Sequence, residues 1–274
     1  MTLNLFTLLA PCLLQNSTWV NHLMMRGLFL AVLFVVPMSV TEAAVEERQS
    51  EFQKLEQQFQ QAKTKLEFTE VATAYESLIG PTTPSASVLF NQANAWFKAG
   101  EIGRAIAGYR QAIKLQPSDN AIRSNLKLAL VKANHAEQKT KAMDYAFFWN
   151  QQFTSSTIAM LITVIIVVAA VLFLLNSNSP LCRTGFRIFA ALAAVLIVSF
   201  VFKVNDEELT DRGVVVVESS DAKKGPAASY ESAYSSALSD GQEFIVIDQQ
   251  QDWLQVDIAG IGSGWLPASD VLLY

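Results

Sequence analysis

The residues that could carry chemistry in this chain are few and scattered. Cys12 and Cys182 are far apart in the sequence, and His22 and His135 have no partner histidine at ligand spacing. These spacings argue against a metal site or a disulfide framework. Residues 260–264 are rich in glycine, but strand-like runs flank them, so they predict a hairpin and not a phosphate-binding loop. We therefore expect no catalytic centre, no metal and no cofactor, which makes an enzyme the least favoured class.

Hydrophobic residues dominate the chain, and its charges are unevenly distributed. Of the 274 residues, 51% are hydrophobic and 16% are charged, against about 25% charged in ordinary soluble domains. Charge is absent from three apolar stretches near 27–40, 157–175 and 188–202. The net charge is −5 and no basic patch stands out, so we expect no nucleic-acid partner. The length allows two or three small domains beside membrane segments.

The first 44 residues are typical of a secretory signal peptide with an upstream extension. Met24-Met25-Arg26 supplies a positive start, residues 27–36 an apolar core and Ala43-Ala44 a small-residue end. Residues 1–23 carry no positive charge, so we expect translation to begin at Met24 or Met25. We expect cleavage near Ala43 or Ala44, although an uncleaved anchor would leave the next segment on the same side of the membrane.

Residues 46–140 are predicted to form a helical region. Phe52, Leu55 and Phe59 recur at three- and four-residue spacing, as an amphipathic helix requires. The sequence Gly-Pro-Thr-Thr-Pro at 80–84 then ends the helical pattern.

The sharpest motif of this region is ASVLFNQANAWFKAGEIGRAIAGYRQAIKLQP at 86–117, which resembles one tetratricopeptide (TPR) unit spanning 86–119. The match rests on Leu89, Ala93, Trp96, Gly100, Ala105, Tyr109, Ala112 and Pro117. Small alanines let two antiparallel helices cross closely, Gly100 permits the turn between them, and Pro117 ends the second helix. Residues 68–75 and 120–136 look like parts of neighbouring repeats, so the array has about two and a half repeats.

The resemblance implies a peptide-binding concave face, which the first helix of each TPR unit lines. The corresponding positions in this sequence are Phe90, Asn94, Phe97, Lys98, Ser124, Asn125 and Leu128. Asn94 and Asn125 stand where carboxylate-binding TPRs place asparagines, but Phe90 stands where such a clamp has a lysine. There are three alternatives to a carboxylate clamp: a hydrophobic peptide groove through Phe90 and Phe97, self-association, and packing of this face against a flanking helix.

Residues 157–204 are predicted to form a transmembrane hairpin. Residues 157–175 and 186–204 are long and apolar enough to span a bilayer, and the turn between them is polar. Arg187 and Lys203 lie at the two ends of the second span, where they can snorkel. Arg183 and Arg187 place the loop in the cytoplasm by the positive-inside rule, which leaves both flanking domains outside. Because the span interiors carry no charge, we interpret the hairpin as an anchor and not a transporter.

The segment 212–274 has the pattern of a small β-barrel. Strand-like runs at 214–217, 243–247 and 253–257 alternate with turn formers at 225–226 and 240–241. With Asp252-Trp253-Leu254-Gln255-Val256 and Gly264-Trp265-Leu266-Pro267, the segment resembles the bacterial SH3-like domain over its whole length. Such domains bind cell-wall peptides or protein partners. The resemblance implies a groove formed by Tyr230, Tyr234, Trp253 and Trp265, unless both tryptophans pack inside the barrel.

The predicted fold class is therefore a multidomain membrane protein: an all-α TPR array, a two-helix transmembrane hairpin and a small all-β SH3-like barrel. This order of segments resembles the E-type proteins of the bacterial aerotolerance (Bat) operon. The resemblance implies a periplasmic, non-enzymatic scaffold in the bacterial inner membrane, with a role in aerotolerance or envelope stress. Its implied partners are von Willebrand A-domain membrane proteins and a MoxR-type AAA+ ATPase. The alternative is a cell-wall sensor that binds peptidoglycan through the SH3-like domain.

Overall fold

The computed structural model describes residues 42–79, 85–133, 147–174, 180–207 and 210–274. Nearly all of the predicted signal peptide, together with Cys12, His22 and His135, lies outside the described residues. The chain divides into two compact units. The first holds Ser155–Val201, and the second holds Ala43–Thr154 together with Phe202–Tyr274.

Seven α-helices account for most of the described structure. They are α1 (Glu42–Gln61), α2 (Lys65–Ala74), α3 (Ala86–Ala99), α4 (Ile102–Leu115), α5 (Asn120–Lys132), α6 (Ser155–Leu174) and α7 (Pro180–Glu207). Short 3-10 turns lie at Tyr75–Leu78, Phe148–Gln151 and Ala268–Asp270. The first five helices belong to the second unit, apart from Glu42 itself.

Local capping and turn chemistry explain where the helices of the second unit begin and end. Thr64 and Glu67 form a capping box at the start of α2. Gly100 ends α3 with a φ of 97°, a left-handed conformation that glycine adopts without strain. Asp119 accepts hydrogen bonds from the N–H groups of Ala121 and Ile122 and so caps α5.

Small residues let α3 and α4 approach closely, as the sequence predicts. Ala93, Ala105 and Ala112 are fully buried, and a Cβ added to Gly108 would lie 2.9 Å from the Cβ of Ala93. Gln92 of α3 is buried and donates a 3.2 Å hydrogen bond to the carbonyl of Ala72. That bond joins α3 to α2, so the buried amide of Gln92 has a structural role.

The C-terminal part of the second unit is a small antiparallel sheet. Five strands lie in the order β6-β5-β4-β1-β7, and β2 pairs with β3 separately. The strands are β1 (Arg212–Val215), β2 (Ser219–Ser220), β3 (Leu238–Ser239), β4 (Glu243–Gln250), β5 (Trp253–Ile258), β6 (Gly262–Pro267) and β7 (Val271–Leu273). The run at 214–217 therefore ends as a strand two residues earlier than the sequence predicts.

The run of valines at 214–217 points alternately to the two faces of the sheet, and both faces are covered. Val215 belongs to the buried cluster of the sheet, with Val217 packed against it. Val214 belongs instead to the buried cluster of the helices, with Val216 and Tyr274 packed against that cluster. Successive side chains of a strand point to opposite faces, so the sheet packs one face on its own core and the other on the helical region.

The first unit contains α6 and most of α7, the two apolar helices. Candidate membrane spans run over Ser155–Leu174 and Arg183–Glu207, with mean hydropathies of 3.0 and 2.3. By length and composition, both helices are able to cross a membrane. Both begin before the predicted spans, and α7 ends at Glu207, beyond the predicted limit at residue 204. Leu172 is buried in a cluster with Val168, Val171, Phe186 and Phe189.

Lys203, near the end of α7, corrects one sequence-based expectation. Its residue is only 6% exposed, so its side chain does not snorkel along the helix surface. Its ammonium group donates a 2.8 Å hydrogen bond to the carbonyl of Asn150 and pairs with Glu207 at 2.6 Å. The ring of Phe202 stacks on that of Phe147 with the centroids 6.0 Å apart. The end of α7 is thus fixed to the turn at Phe148–Gln151.

Candidate functional site

A face formed by α3 and α5 brings the predicted concave residues together. On α3, Phe90, Asn94, Phe97 and Lys98 lie at the three- and four-residue spacing that places side chains on one side of a helix. On α5, Ser124, Asn125 and Leu128 do the same. We call this surface the α3/α5 groove; its eighth member is Lys132, one turn beyond Leu128.

Asn94 is the centre of the polar network in the α3/α5 groove. Its Oδ1 accepts hydrogen bonds from the Tyr109 hydroxyl at 2.7 Å and from Asn125 Nδ2 at 2.8 Å. Burial raises the pKa of Tyr109, which keeps its hydroxyl protonated and donating. Because these two bonds use the carbonyl oxygen of Asn94, its amide NH₂ is the group left to act as a donor.

Aromatic and aliphatic side chains flank this network. The ring of Phe90 lies 6.0 Å from that of Tyr109, and the Lys132 ammonium lies 4.7 Å above the ring of Phe97. Both phenylalanines are half-buried, while Leu128 is 54% exposed. The groove therefore combines amide, aromatic and aliphatic side chains, which are groups suited to non-covalent binding.

Lys132 is a member of the groove that was not predicted from the sequence. The signal was present, since Lys132 follows Leu128 at a spacing of four residues on the same helix. Ser124 and Lys98, which were predicted from the sequence, are both exposed.

The sheet contacts the helical region by capping α4. Glu101, the residue before α4, makes no side-chain capping bond. Asp240 takes its place: its two carboxylate oxygens accept the N–H groups of Ile102 and Gly103, each at 2.9 Å. A carboxylate at a helix N-terminus meets unpaired N–H groups and the positive end of the helix dipole. Burial raises the pKa of Asp240, and the two N–H donors offset part of that rise.

A second contact joins α4 to the sheet through charge. Arg110 donates from Nε and from one terminal nitrogen to the two carboxylate oxygens of Glu243, at 2.7 and 2.9 Å. The Tyr274 hydroxyl donates to the same carboxylate at 2.6 Å. Burial would raise the pKa of Glu243, but the hydrogen bonds and charge of Arg110 outweigh it and hold the pKa below its usual range.

The four predicted SH3-like groove residues do not share one face of the sheet. Trp253 pairs with Pro267 and Trp265 with Gln255, on the face opposite the buried residues Leu254 and Leu266. Tyr234 instead packs against the buried cluster, with its hydroxyl donating to the carbonyl of Gly262 at 2.9 Å.

The two tryptophans also differ in exposure. Trp265 is only 8% exposed, whereas Trp253 is half-buried. Tyr230 is 50% exposed and lies against Gly225. The site offered by the sheet is therefore smaller than the sequence predicts, with Trp253 and Tyr230 as its open aromatic side chains.

Comparisons with known proteins add no relative. No protein-family model, curated protein or solved structure matches the chain. The class that the fold and the groove define is a mostly helical protein with a small antiparallel sheet and two helices able to cross a membrane.

Proposed function

We propose that the chain is a non-enzymatic, membrane-anchored scaffold that presents the α3/α5 groove to a partner protein. The observation that carries the proposal is the groove itself. Amide, aromatic and aliphatic side chains share one face of two helices, and Leu128 is left 54% exposed there. Large apolar side chains grouped at the surface and rimmed by polar residues are typical of protein interaction sites.

In this proposal α1 to α5 are a short TPR array and β1 to β7 an SH3-like barrel. The support for the first is the helix pair α3/α4, with its turn at Gly100 and its buried alanines. The support for the second is the five-stranded antiparallel sheet, which carries the Trp253 and Trp265 motifs on adjacent strands.

The proposal places α6 and α7 in the inner membrane of a bacterium, with the other elements in the periplasm. Arg183 and Arg187 are exposed in the first turns of α7, and positive charge there favours a cytoplasmic loop. The order of signal peptide, helical region, hairpin and sheet supports membership of the aerotolerance (Bat) group. The partners would then be von Willebrand A-domain membrane proteins and a MoxR-type AAA+ ATPase.

The groove is tested by capture of these partners on the full chain. The variants Phe97→Asp and Leu128→Asp place a charge in the groove, and Ile261→Asp places the same charge on a 49%-exposed residue outside it. We expect co-purification of A-domain proteins from detergent-solubilised membranes to be lost with the first two variants and kept with the third. Equal capture by all three variants would refute the proposal.

The topology is tested by labelling single cysteines in intact spheroplasts. With Cys12 and Cys182 replaced by serine, we expect Ser118→Cys to react with a membrane-impermeant maleimide. Arg183→Cys should react only after the membrane is permeabilised. Labelling of both positions from outside would contradict the two-span arrangement.

A cell-wall sensor is the second candidate, and it is favoured by Tyr230, which is 50% exposed, and by the half-buried Trp253. The sheet offers less aromatic surface for binding than the sequence predicts, because Trp265 is buried and the Tyr234 hydroxyl is hydrogen-bonded to Gly262. If this candidate is right, the full chain co-sediments with purified peptidoglycan, and the variant Trp253→Ala with Tyr230→Ala does not. Identical sedimentation of the two would remove this candidate.

A further inference from the structure

The charges of the chain are segregated along its elements. Residues 85–133, which form α3, α4 and α5, carry seven lysines and arginines and only two acidic residues. Residues 42–79 carry eight acidic and four basic residues, and residues 210–274 carry ten acidic and three basic residues. A basic helical segment thus lies within a chain whose net charge is −5, although no basic patch was evident from the sequence.

The two acidic residues of the basic segment are both engaged outside the groove. Glu101 lies 3.8 Å from Arg104 in an ion pair on α4. Asp119 caps α5 through the N–H groups of Ala121 and Ile122. The members of the α3/α5 groove therefore include no carboxylate.

Two lysines of the groove are available to an incoming anion. Lys98 is exposed at one edge of α3, and Lys132 is exposed with its ammonium over the ring of Phe97. Neither forms an ion pair with another residue in the part of the chain that the structure describes. Lys132 lies over the ring of Phe97 and follows Leu128 by one helical turn, so the groove combines cationic and apolar groups.

We propose that the α3/α5 groove binds an acidic, amphipathic peptide segment of a partner protein. Carboxylates of the segment pair with Lys98 and Lys132, and its apolar side chains pack on Phe97 and Leu128. The amide NH₂ of Asn94 donates to the backbone of the segment. This inference rests on the proposed function of the groove and adds the chemical class of what enters it. Charge complementarity selects the occupant, because a basic segment would meet two lysines that pair with no carboxylate in the described part of the chain.

The experiment is selection of random 12-residue peptides displayed on phage against the full chain in lipid nanodiscs, with empty nanodiscs as background. Because the library covers all charges, the selected pool reports the charge preference of the groove while the natural partner is unidentified. We expect this pool to be rich in Asp and Glu together with Leu, Ile and Phe. A synthetic peptide of the consensus should bind about tenfold more weakly at 200 mM than at 50 mM salt, because its ion pairs are exposed.

Matched charge reversals distinguish the groove from the general charge of the segment. The double variant Lys98→Glu with Lys132→Glu should bind the acidic consensus peptide at least tenfold more weakly than the wild type. Selection against this variant should yield a pool richer in basic peptides. Lys127 lies on the same helix as Lys132 and is also exposed, but it is turned about 100° away from Leu128 around the helix axis. The variant Lys127→Glu should therefore select the same acidic pool as the wild type.

The outcomes separate this inference from the proposed function. A wild-type pool that binds through Leu128 but has no charge bias, or a basic one, overturns the acidic specificity and leaves the groove as a binding site. No enrichment over empty nanodiscs overturns both. Light scattering tests whether a second copy of this chain occupies the groove. A salt-sensitive dimer that is lost in the Lys98→Glu, Lys132→Glu variant would assign the groove to self-association and overturn the proposed peptide partner.

Discussion

The contact between Glu243 and Arg110 gives the sharpest prediction about stability. Glu243 lies on β4 and its side chain is 7% exposed, while the Arg110 side chain on α4 is 25% exposed. The carboxylate accepts three hydrogen bonds, two from Arg110 and one from Tyr274. The substitution Glu243→Gln removes the negative charge and turns an NH₂ group towards the guanidinium.

The expected cost follows from this burial. Removing one partner of a buried, hydrogen-bonded ion pair costs about 3 to 5 kcal/mol, and the partial exposure of Arg110 places this pair at the lower end. We therefore expect Glu243→Gln to lower the free energy of unfolding of the second unit by about 3 kcal/mol at pH 7. Urea unfolding of the full chain in detergent micelles, followed by tryptophan fluorescence, measures this change.

The control is Glu231→Gln, which breaks an exposed pair with Lys224 whose side-chain exposures are 84% and 59%. That variant should unfold like the wild type, because exposed ion pairs contribute little. The pH dependence gives a second test. Because the folded pKa of Glu243 is lowered, its stabilisation is complete above the ordinary glutamate pKa and is lost as the pH falls through the folded pKa. The advantage of the wild type over Glu243→Gln should therefore shrink in acid; equal stability of Glu243→Gln and Glu231→Gln at pH 7 would refute the reasoning.

Three further substitutions are checked by the same unfolding assay. Gly103→Ala should lower the free energy of unfolding by about 1 to 3 kcal/mol, because the new Cβ would lie 2.2 Å from the carbonyl oxygen of Val215. The same change inside an exposed helix usually stabilises a protein. A stabilised variant would therefore contradict the packing of α4 on β1. Asp240→Ala should cost about 1 to 2 kcal/mol through loss of the cap on α4, and an unchanged midpoint would show that the cap contributes nothing. Asn94→Ala should lower the free energy of unfolding by about 1 to 3 kcal/mol, because it leaves the buried Tyr109 hydroxyl without its acceptor. Adding Tyr109→Phe to this variant should restore part of the lost stability. A double variant no more stable than Asn94→Ala would contradict the network.

The local features of the helical region were predictable because their causes are local. The alanines at 93, 105 and 112 are small where two helices cross, and Gly100 has the positive φ that the turn requires. The spacing of Phe90, Asn94 and Phe97 alone places them on one face of a helix. The same logic would have added Lys132 to the groove if α5 had been followed one turn further.

The strands were predicted in type but not in extent, because tertiary contacts determine where they end. The valine run at 214–217 is typical of one strand, yet pairing stops at Val215. The sheet places β1 between β4 and β7, where residues 212–214 pair with β4 and residues 213–215 pair with β7. That Val214 and Val216 contact the helical core could not be inferred from the run itself, since a strand buried on both faces has the same composition whatever covers it.

The contact between the helices and the sheet was not predictable from the sequence. Asp240 lies 138 residues from Ile102, and Glu243 lies 133 residues from Arg110. Each is a charged residue of a type usually found at the surface, and nothing in its neighbours marks a distant partner. The sequence predicts two separate modules. In the structure they are joined by Asp240, which caps α4 from the sheet, and by the buried ion pair between Arg110 and Glu243.

In our proposal, the α3/α5 groove holds a partner protein at the membrane. Its most direct test is a photo-crosslinking amino acid placed at Leu128 in living cells, with the same amino acid at Ile261 as the control position. We predict a discrete crosslinked product at Leu128, containing an A-domain membrane protein, that disappears in the Phe97→Asp background and is absent at Ile261. Identical products at the two positions, or none at Leu128, would contradict the claim.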